Sequence, residues 1–387
     1  MGIIATYEIK HTDHVERVAE KIAHELTVGT WTELNHLEQH QLQAFRGEVI
    51  ATSQQETTSR FSIRYPLHNV TPDFSSILTT TFGKLSLDPS VQLVDLSLPE
   101  ELAPDFPGAA FGVEGVRDIL RVHDRPLAMS IFKGVIGRDL DFLATQLRDQ
   151  FTGGIDLVKD DEILYDNPLT PSLERARVGA SIIREHKETT GRSVLYAVTL
   201  SGPVFTLRDQ AKRLIEAGAT ALLFNVYTYG LDTLRELAKD PEIHVPILAH
   251  PAFAGALTGS VRHSLLFGKL IRLAGADLTL FPSPYGSLST PKDETQQIQT
   301  YATESHWTKP ILTVPSAGIH PGLVPDLIRD FGTDVVINAG GGIHGHPDGA
   351  AAGARAFRQA IDQADQAIGK TSETDALSTA LDAWGAR

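Results

Sequence analysis

The chain has 387 residues, of which 34 are Lys or Arg and 48 are Asp or Glu, for a formal net charge of −14. That length supports two domains or one large one with ample buried core, and 42% apolar with 21% charged residues is the balance of a soluble globular chain, not of a fibrous or disordered one. So acidic a chain, with no basic cluster, disfavours nucleic-acid and anionic-membrane partners, and the absence of Cys excludes disulfides, zinc-thiolate centres and a Cys nucleophile and suits the cytoplasm.

In chain order, the first elements follow an α+β plan. Met1–Lys10 lacks the basic region and apolar run of a secretory leader, and Ile3–Ile9 reads as a strand. An amphipathic helix over Val15–Leu26, strands over Ala44–Ala51 and Phe61–Tyr65, a short helix over Phe74–Thr80 and a strand over Val91–Leu96 follow. This β-α-β-β-α-β order predicts a ferredoxin-like domain over residues 1–115. Pro99–Gly115, with Pro104, Pro107 and a small-residue run, reads as the linker to a second domain over residues 116–387.

From residue 126 onward short β-rich runs alternate with amphipathic helices, the pattern of a parallel α/β fold. The strands are Pro126–Phe132, Ile155–Val158, Val194–Leu200, Ala221–Val226, Val245–Ala249, Leu278–Phe281, Ile311–Val314 and Val335–Asn338, eight in all, as a TIM barrel requires. An amphipathic stretch around Ala376–Trp384 predicts a closing helix.

A barrel of this kind carries its chemistry where strands end. After the second strand stand Lys159, Asp160, Asp161 and Glu162; adjacent carboxylates form a hard-oxygen set suited to Mg²⁺, although acids also complement a solvated helix start. Glycines cluster after the seventh strand (Gly318) and the eighth (Gly340, Gly341), where free backbone N–H groups can meet a phosphate and where tight turns also use glycine. His250 follows the fifth strand, facing substrate or capping a helix; Lys133 ends the first strand, at the site or on an exposed loop. No nucleophile elbow or dinucleotide fingerprint is present.

Gly153–Glu162 resembles the GGxDxxKDDE signature of the RuBisCO superfamily, and Gly340–Pro347 resembles its GGGxxGHP. Gly29–Thr32 is similar to the family's GTWT segment and Ser316–His320 to its SxGIH, so the resemblance spans nearly the whole chain. Phe82–Leu87, Met129–Asp139, Leu223–Gly230 and Phe281–Ser287 are similar to the RuBisCO-like branch of methionine salvage in particular. Against carboxylating members, Ile131-Phe132-Lys133 lacks the first lysine of their Lys-Pro-Lys, and Pro251 replaces a phosphate-binding arginine. Carboxylation is therefore disfavoured, and a substrate with one phosphate fits better.

The resemblance implies enolisation of 2,3-diketo-5-methylthiopentyl-1-phosphate. Lys159, carbamylated by CO₂, would hold Mg²⁺ with Asp161 and Glu162. Lys84, which spacing alone does not single out, would remove the C1 proton. Lys133, Lys159, Asp160, Asp161, Glu162 and His250 would stand at the substrate, and Gly318, Gly340 and Gly341 would bind its phosphate. The resemblance further implies a homodimer in which Thr30 and Trp31 complete the partner's site. Two other readings are an enolase or isomerase of the same family acting on a different phosphorylated ketose, and a barrel that binds a phosphometabolite without turnover.

Overall fold

A computed structural model describes residues 2–29, 40, 42–365 and 375–386. They form two compact units, one of residues up to 107 together with 253–266, the other of residues 108–252 and 267 onward.

In the first unit, β1 (Gly2–Lys10), β2 (Glu48–Gln54), β3 (Thr58–Pro66) and β4 (Val91–Ser97) make an antiparallel sheet in the order β2-β3-β1-β4. β3 lies between β1 and β2, which the helix Val15–Glu25 connects, so the split βαβ arrangement of the ferredoxin-like plan is present. Strict alternation buries Ile3, Ala5 and Tyr7 of β1 and Phe61, Ile63 and Tyr65 of β3, while the helix buries Val15, Ala19, Ile22 and Ala23 at helical spacing.

Local departures from the sequence expectation have identifiable causes. β2 begins at Glu48 rather than Ala44 because Gln43–Phe45 forms a 3₁₀ turn and Gly47 lies against the Ala23 carbonyl, donating its N–H to Thr27 Oγ1 at 3.0 Å. The helix at Phe74 stops at Leu78 and widens into a π turn over Thr79–Gly83. Residues 253–266, between two barrel strands in sequence, belong to the first unit because Leu93 N donates to Ser260 O at 2.9 Å and Arg262 N to Leu93 O at 3.0 Å. The stretch read as linker ends in a helix, Gly112–Leu120, and the units divide between Pro107 and Gly108.

The second unit is the expected barrel. Strands β5 (Leu127–Ile131), β6 (Leu157–Lys159), β7 (Leu195–Thr199), β8 (Ala221–Asn225), β9 (Ile247–His250), β10 (Leu278–Pro282), β11 (Leu312–Ser316) and β12 (Val336–Ala339) are parallel and sequential. β12 pairs with β5, and a bridge between Thr313 and Val335 closes the ring.

The N-terminal end of the barrel is plugged. Val113, Val116 and Leu120 of the helix Gly112–Leu120 pack into one cluster with Leu127, Leu157, Leu195 and Leu312 of the strands. Asp277 fixes that helix, accepting N–H from Phe111 (2.7 Å), Gly112 (2.8 Å) and Ile247 (2.8 Å). Asp156, at the start of β6, is gripped by Arg125 through both carboxylate oxygens (2.6 and 2.7 Å) and by Arg192 at 3.2 Å. With this end filled, a ligand's access is left to the C-terminal end.

Candidate active site

The C-terminal end of the barrel opens into a cavity of about 510 Å³, a size typical of small-molecule sites. Lys133 reaches it from beyond β5, Glu162 from beyond β6, His250 and Pro251 from β9, and Ser316–His320 and Asn338–Gly342 from β11 and β12.

The chemistry gathers around Lys159. Its side chain is fully buried at the end of β6; Nζ donates to the Asp160 carbonyl at 2.9 Å and stands 3.7 Å from Glu162 Oε2. Burial pulls the ammonium down to about 8, against the opposing pull of Glu162 and Asp161. Burial pushes the Glu162 carboxyl up, but Lys159 and Lys133 outweigh it and hold that carboxyl below its ordinary value. Lys133 Nζ donates to Asp161 Oδ2 at 2.7 Å, so strands β5 and β6 are joined by an ion pair at the mouth of the cavity.

His250 completes this wall. Its Nδ1 accepts the N–H of Ala252 at 3.1 Å, which leaves Nε2 as the protonated nitrogen, 3.5 Å from Glu162 Oε2. Burial and then the charge of Lys159 push the imidazole well below its ordinary pKa. The ring is therefore neutral at pH 7, and its approach to Glu162 is that of a dipole, not of a paired ion.

Of the predicted residues from Lys159 to Glu162, Glu162 lines the cavity, with Lys159 and Asp161 beside it, while Asp160 faces away. Successive strand residues point to opposite faces, and Asp160 turns outward where Lys159 turns in. Its Oδ2 accepts from Arg175 Nη2 (3.1 Å) and Thr199 N (2.9 Å), and its Oδ1 accepts from Tyr196 Oη (2.6 Å), all in the buried layer behind the strand. Lys84 lies in the first unit, exposed, just after the π turn Thr79–Gly83. That turn is anchored by Tyr7, whose hydroxyl donates to Thr81 O at 2.5 Å and meets Tyr65 Oη at 2.7 Å. Thr30 and Trp31 lie outside the described residues.

The three predicted glycines line the cavity for different reasons. Gly318 has φ +73°, and a Cβ there would come within 2.7 Å of Ser287 N. At Gly340 a Cβ would stand 2.9 Å from Lys133 Cε, so this glycine makes room for the lysine stem. At Gly341 a Cβ would meet nothing within 4 Å, which leaves this backbone open to the cavity.

The sequence reading passed over Asn338 and Ser316. Asn338 Nδ2 donates to Ser316 Oγ at 2.8 Å, and its buried Oδ1 has no hydrogen-bond partner among the described residues. Asn225 is similar: Nδ2 donates to the Glu162 carbonyl at 3.2 Å while its buried Oδ1 is likewise unpartnered. The available signal was position, since each of the three sits at or next to the last residue of a barrel strand.

Comparison with known proteins places this geometry. Residues 1–102 match the model of the ribulose bisphosphate carboxylase large chain, N-terminal domain, and residues 112–384 that of its catalytic domain. A 2,3-diketo-5-methylthiopentyl-1-phosphate enolase from Exiguobacterium sibiricum is 61% identical, with 99% of this chain and 98% of the relative covered. One of the same name from Bacillus cereus is 53% identical with the same coverage. Among solved structures, a rubisco-like protein (MtnW) from Alicyclobacillus acidocaldarius has a TM-score of 0.92 at 44% identity, with 100% of both chains covered. Rubisco from Pyrococcus horikoshii has a TM-score of 0.90 at 28% identity, covering 99% of this chain and 93% of that one. With both domain models matched in order along its length, the chain belongs to the ribulose bisphosphate carboxylase large-chain family.

Proposed function

We propose that this chain enolises 2,3-diketo-5-methylthiopentyl-1-phosphate in methionine salvage. A proton leaves C1, the electrons move to the C2 carbonyl oxygen, and that oxygen takes up a proton to give 2-hydroxy-3-keto-5-methylthiopentenyl-1-phosphate. The observation that carries this reading is the 61% identity, over 99% of the chain, to an enolase of that name. The cavity agrees with it: backbone N–H groups at Gly318, Gly340 and Gly341 offer one anion site, and Pro251, lacking an N–H, offers no second one on its wall.

Mg²⁺ is the ion that the family implies, and the donors present fit it. No three His, Asp or Glu side chains form a cage among the described residues, and Glu162 and Asp161 are the carboxylates whose charge acts on Lys159 most strongly. A carbamate on Lys159 would add a third oxygen donor beside them and reverse the sign of a charge that repels metals, with waters or substrate oxygens completing the octahedron. Lys159 suits this chemistry because burial brings its amine to about 8, within reach of the neutral form that attacks CO₂. Bound there, Mg²⁺ would polarise the diketone oxygens and lower the cost of the enolate.

Lys84 is assigned as the base. Its rival is Lys133, which lines the cavity, but the Lys133 ammonium is already donating to Asp161, an arrangement suited to holding negative charge on an oxygen. The test follows net enol formation and C1 deuterium exchange by NMR in wild type, Lys84→Ala and Lys133→Ala. Loss of both in Lys84→Ala supports the assignment; exchange that survives there and vanishes in Lys133→Ala moves the base to Lys133. Absence of exchange in the wild type with Mg²⁺ and CO₂ supplied would refute the reaction itself.

A homodimer is part of the same reading. The loops after β6 and β7 expose Ile163, Tyr165, Leu169 and Phe205, the last 97% exposed, and apolar surface of this kind marks interaction sites. Light scattering of the purified chain would show twice the mass of 42.0 kDa if the reading holds.

A further inference from the structure

Asn338 lines the cavity from β12 and faces the barrel interior, since Val336, two residues before it, belongs to the interior cluster. Its side chain is buried, and a relay fixes which way the amide points. Ser316 has one hydroxyl proton, which Oγ donates to Val314 O at 2.9 Å. Toward Asn338, 2.8 Å away, that Oγ can therefore only accept, so the amide group facing it is Nδ2. The other end of the amide, Oδ1, is an acceptor by elimination, and it is buried without a hydrogen-bond partner among the described residues. An unpaired buried acceptor costs free energy. What relieves it is an O–H or N–H brought by a ligand.

The two ends of the proposed reaction differ in this respect. The diketone phosphate carries two carbonyls, a thioether and, above about pH 7, a dianionic phosphate, so it brings acceptors and no O–H. In enolisation the C1–H bond breaks and its proton goes to the base, the C1–C2 double bond forms, and the C2 oxygen takes a proton from solvent water. The enol has thereby gained one donor, its 2-hydroxyl. Position agrees with chemistry here. Gly340 and Gly341, which border the proposed phosphate site, follow Asn338 closely in the chain, and only C1 separates C2 from the phosphate ester oxygen.

We propose that Asn338 Oδ1 accepts a hydrogen bond from the 2-hydroxyl of the enol and so favours the enol over the diketone within the site. This rests on the enolase reading above and deepens it. A bond that exists only once the proton has reached the C2 oxygen stabilises the late transition state and the product, not the bound substrate, so it raises kcat without lowering KM. Oδ1 is covered in the empty cavity, and the bond forms by a small movement of the amide toward the ligand; catalytic hydrogen bonds often tighten only in the complex.

The test compares two variants of the full-length protein that are close to Asn in size: Asn338→Leu removes the acceptor, and Asn338→Asp keeps one in the same place. In Asn338→Leu, kcat should fall about tenfold with KM for the diketone phosphate changed less than about twofold, and the inhibition constant of the enol product should rise about tenfold. Asn338→Asp should keep kcat within about threefold of wild type, while its added charge raises KM for a phosphorylated substrate. A higher KM at unchanged kcat in Asn338→Leu would show that Asn338 serves ground-state binding, and equal losses of kcat in both variants would show that the acceptor is not what matters. Either result overturns the proposal, as does an unchanged inhibition constant for the product. If the leucine variant does not fold, Asn338→Asp decides alone, and a loss of kcat of about tenfold there overturns the proposal. Wild-type protein that does not enolise the diketone phosphate would instead sink the reaction itself, a failure visible before any variant is made.

Discussion

The two ends of the barrel both bury charge, and they bury it differently. At the N-terminal end Asp156 holds two arginines within 3.2 Å and Asp277 accepts three backbone N–H groups. At the C-terminal end Lys159 reaches its nearest carboxylate only at 3.7 Å, and Asn225 and Asn338 keep a buried oxygen without a partner among the described residues. A buried polar group costs free energy unless it is paired. The first end is therefore a finished structure, while the second carries unmet bonding capacity that a ligand can use.

That contrast is divided within a single motif. In Gly153–Glu162 the first half is scaffold: a Cβ on Gly153 would meet Ala354 Cβ at 2.3 Å, and Asp156 locks the strand start. The second half, from Lys159, carries Lys159, Asp161 and Glu162, the residues proposed above to hold the metal. The largest expected effect comes from this half. Asp161→Ala should lower Mg²⁺-dependent turnover about a thousandfold or more while leaving the melting temperature near that of wild type; turnover retained without added divalent ion would count against the metal assignment.

Next in size is the mirror experiment. Asp156→Ala strands Arg125 and Arg192, and breaking a buried ion pair of this kind costs about 3–5 kcal/mol. Urea denaturation should show that loss, with activity per folded molecule preserved. If activity vanished while stability held, the two ends could not be separated in this way.

Gly341→Val should act more mildly and more locally. The space around a Cβ there is open, so the fold should tolerate the change, while a side chain projecting toward the phosphate should raise KM about tenfold. An unchanged KM in steady-state kinetics would move the phosphate away from β12.

The pH response is the smallest effect. With the Lys159 ammonium lowered from its ordinary value to about 8, the unfolded chain keeps a proton that the folded chain has released between about pH 8 and the ordinary lysine value. Stability from this group therefore rises with pH through that window. Activation by CO₂ should rise with a midpoint near 8, and a flat activation profile from about pH 7 to about pH 9 would contradict the role of Lys159.

Much of this was legible in the sequence. Strand and helix periods marked all eight barrel strands, because each is a short apolar run followed by an amphipathic helix. The carboxylates beside Lys159 were legible as a cluster because they stand adjacent in sequence, and the structure keeps Glu162 within 3.7 Å of Lys159 Nζ. Asp160 is directed to Arg175, Tyr196 and Thr199 behind the strand, a direction its place next to Lys159 allows, since neighbouring residues of extended chain face opposite ways. Pairing of residues 253–266 with β4 was not legible, since Leu93 and Val261 meet across a long stretch of chain. Nor was the room that Gly340 makes for Lys133, a contact between the first and last strands of a closed ring.

The central claim is that the unfinished end becomes an enolising site once Lys159 carries a carbamate and the metal is bound. The most direct test is deuterium exchange at C1 of the diketone phosphate, followed by proton NMR in D₂O with Mg²⁺ and CO₂ added or withheld independently. The account predicts exchange only when both are present and none in Lys159→Ala. Exchange at the full rate in metal-free, CO₂-free buffer, or in Lys159→Ala, would contradict it.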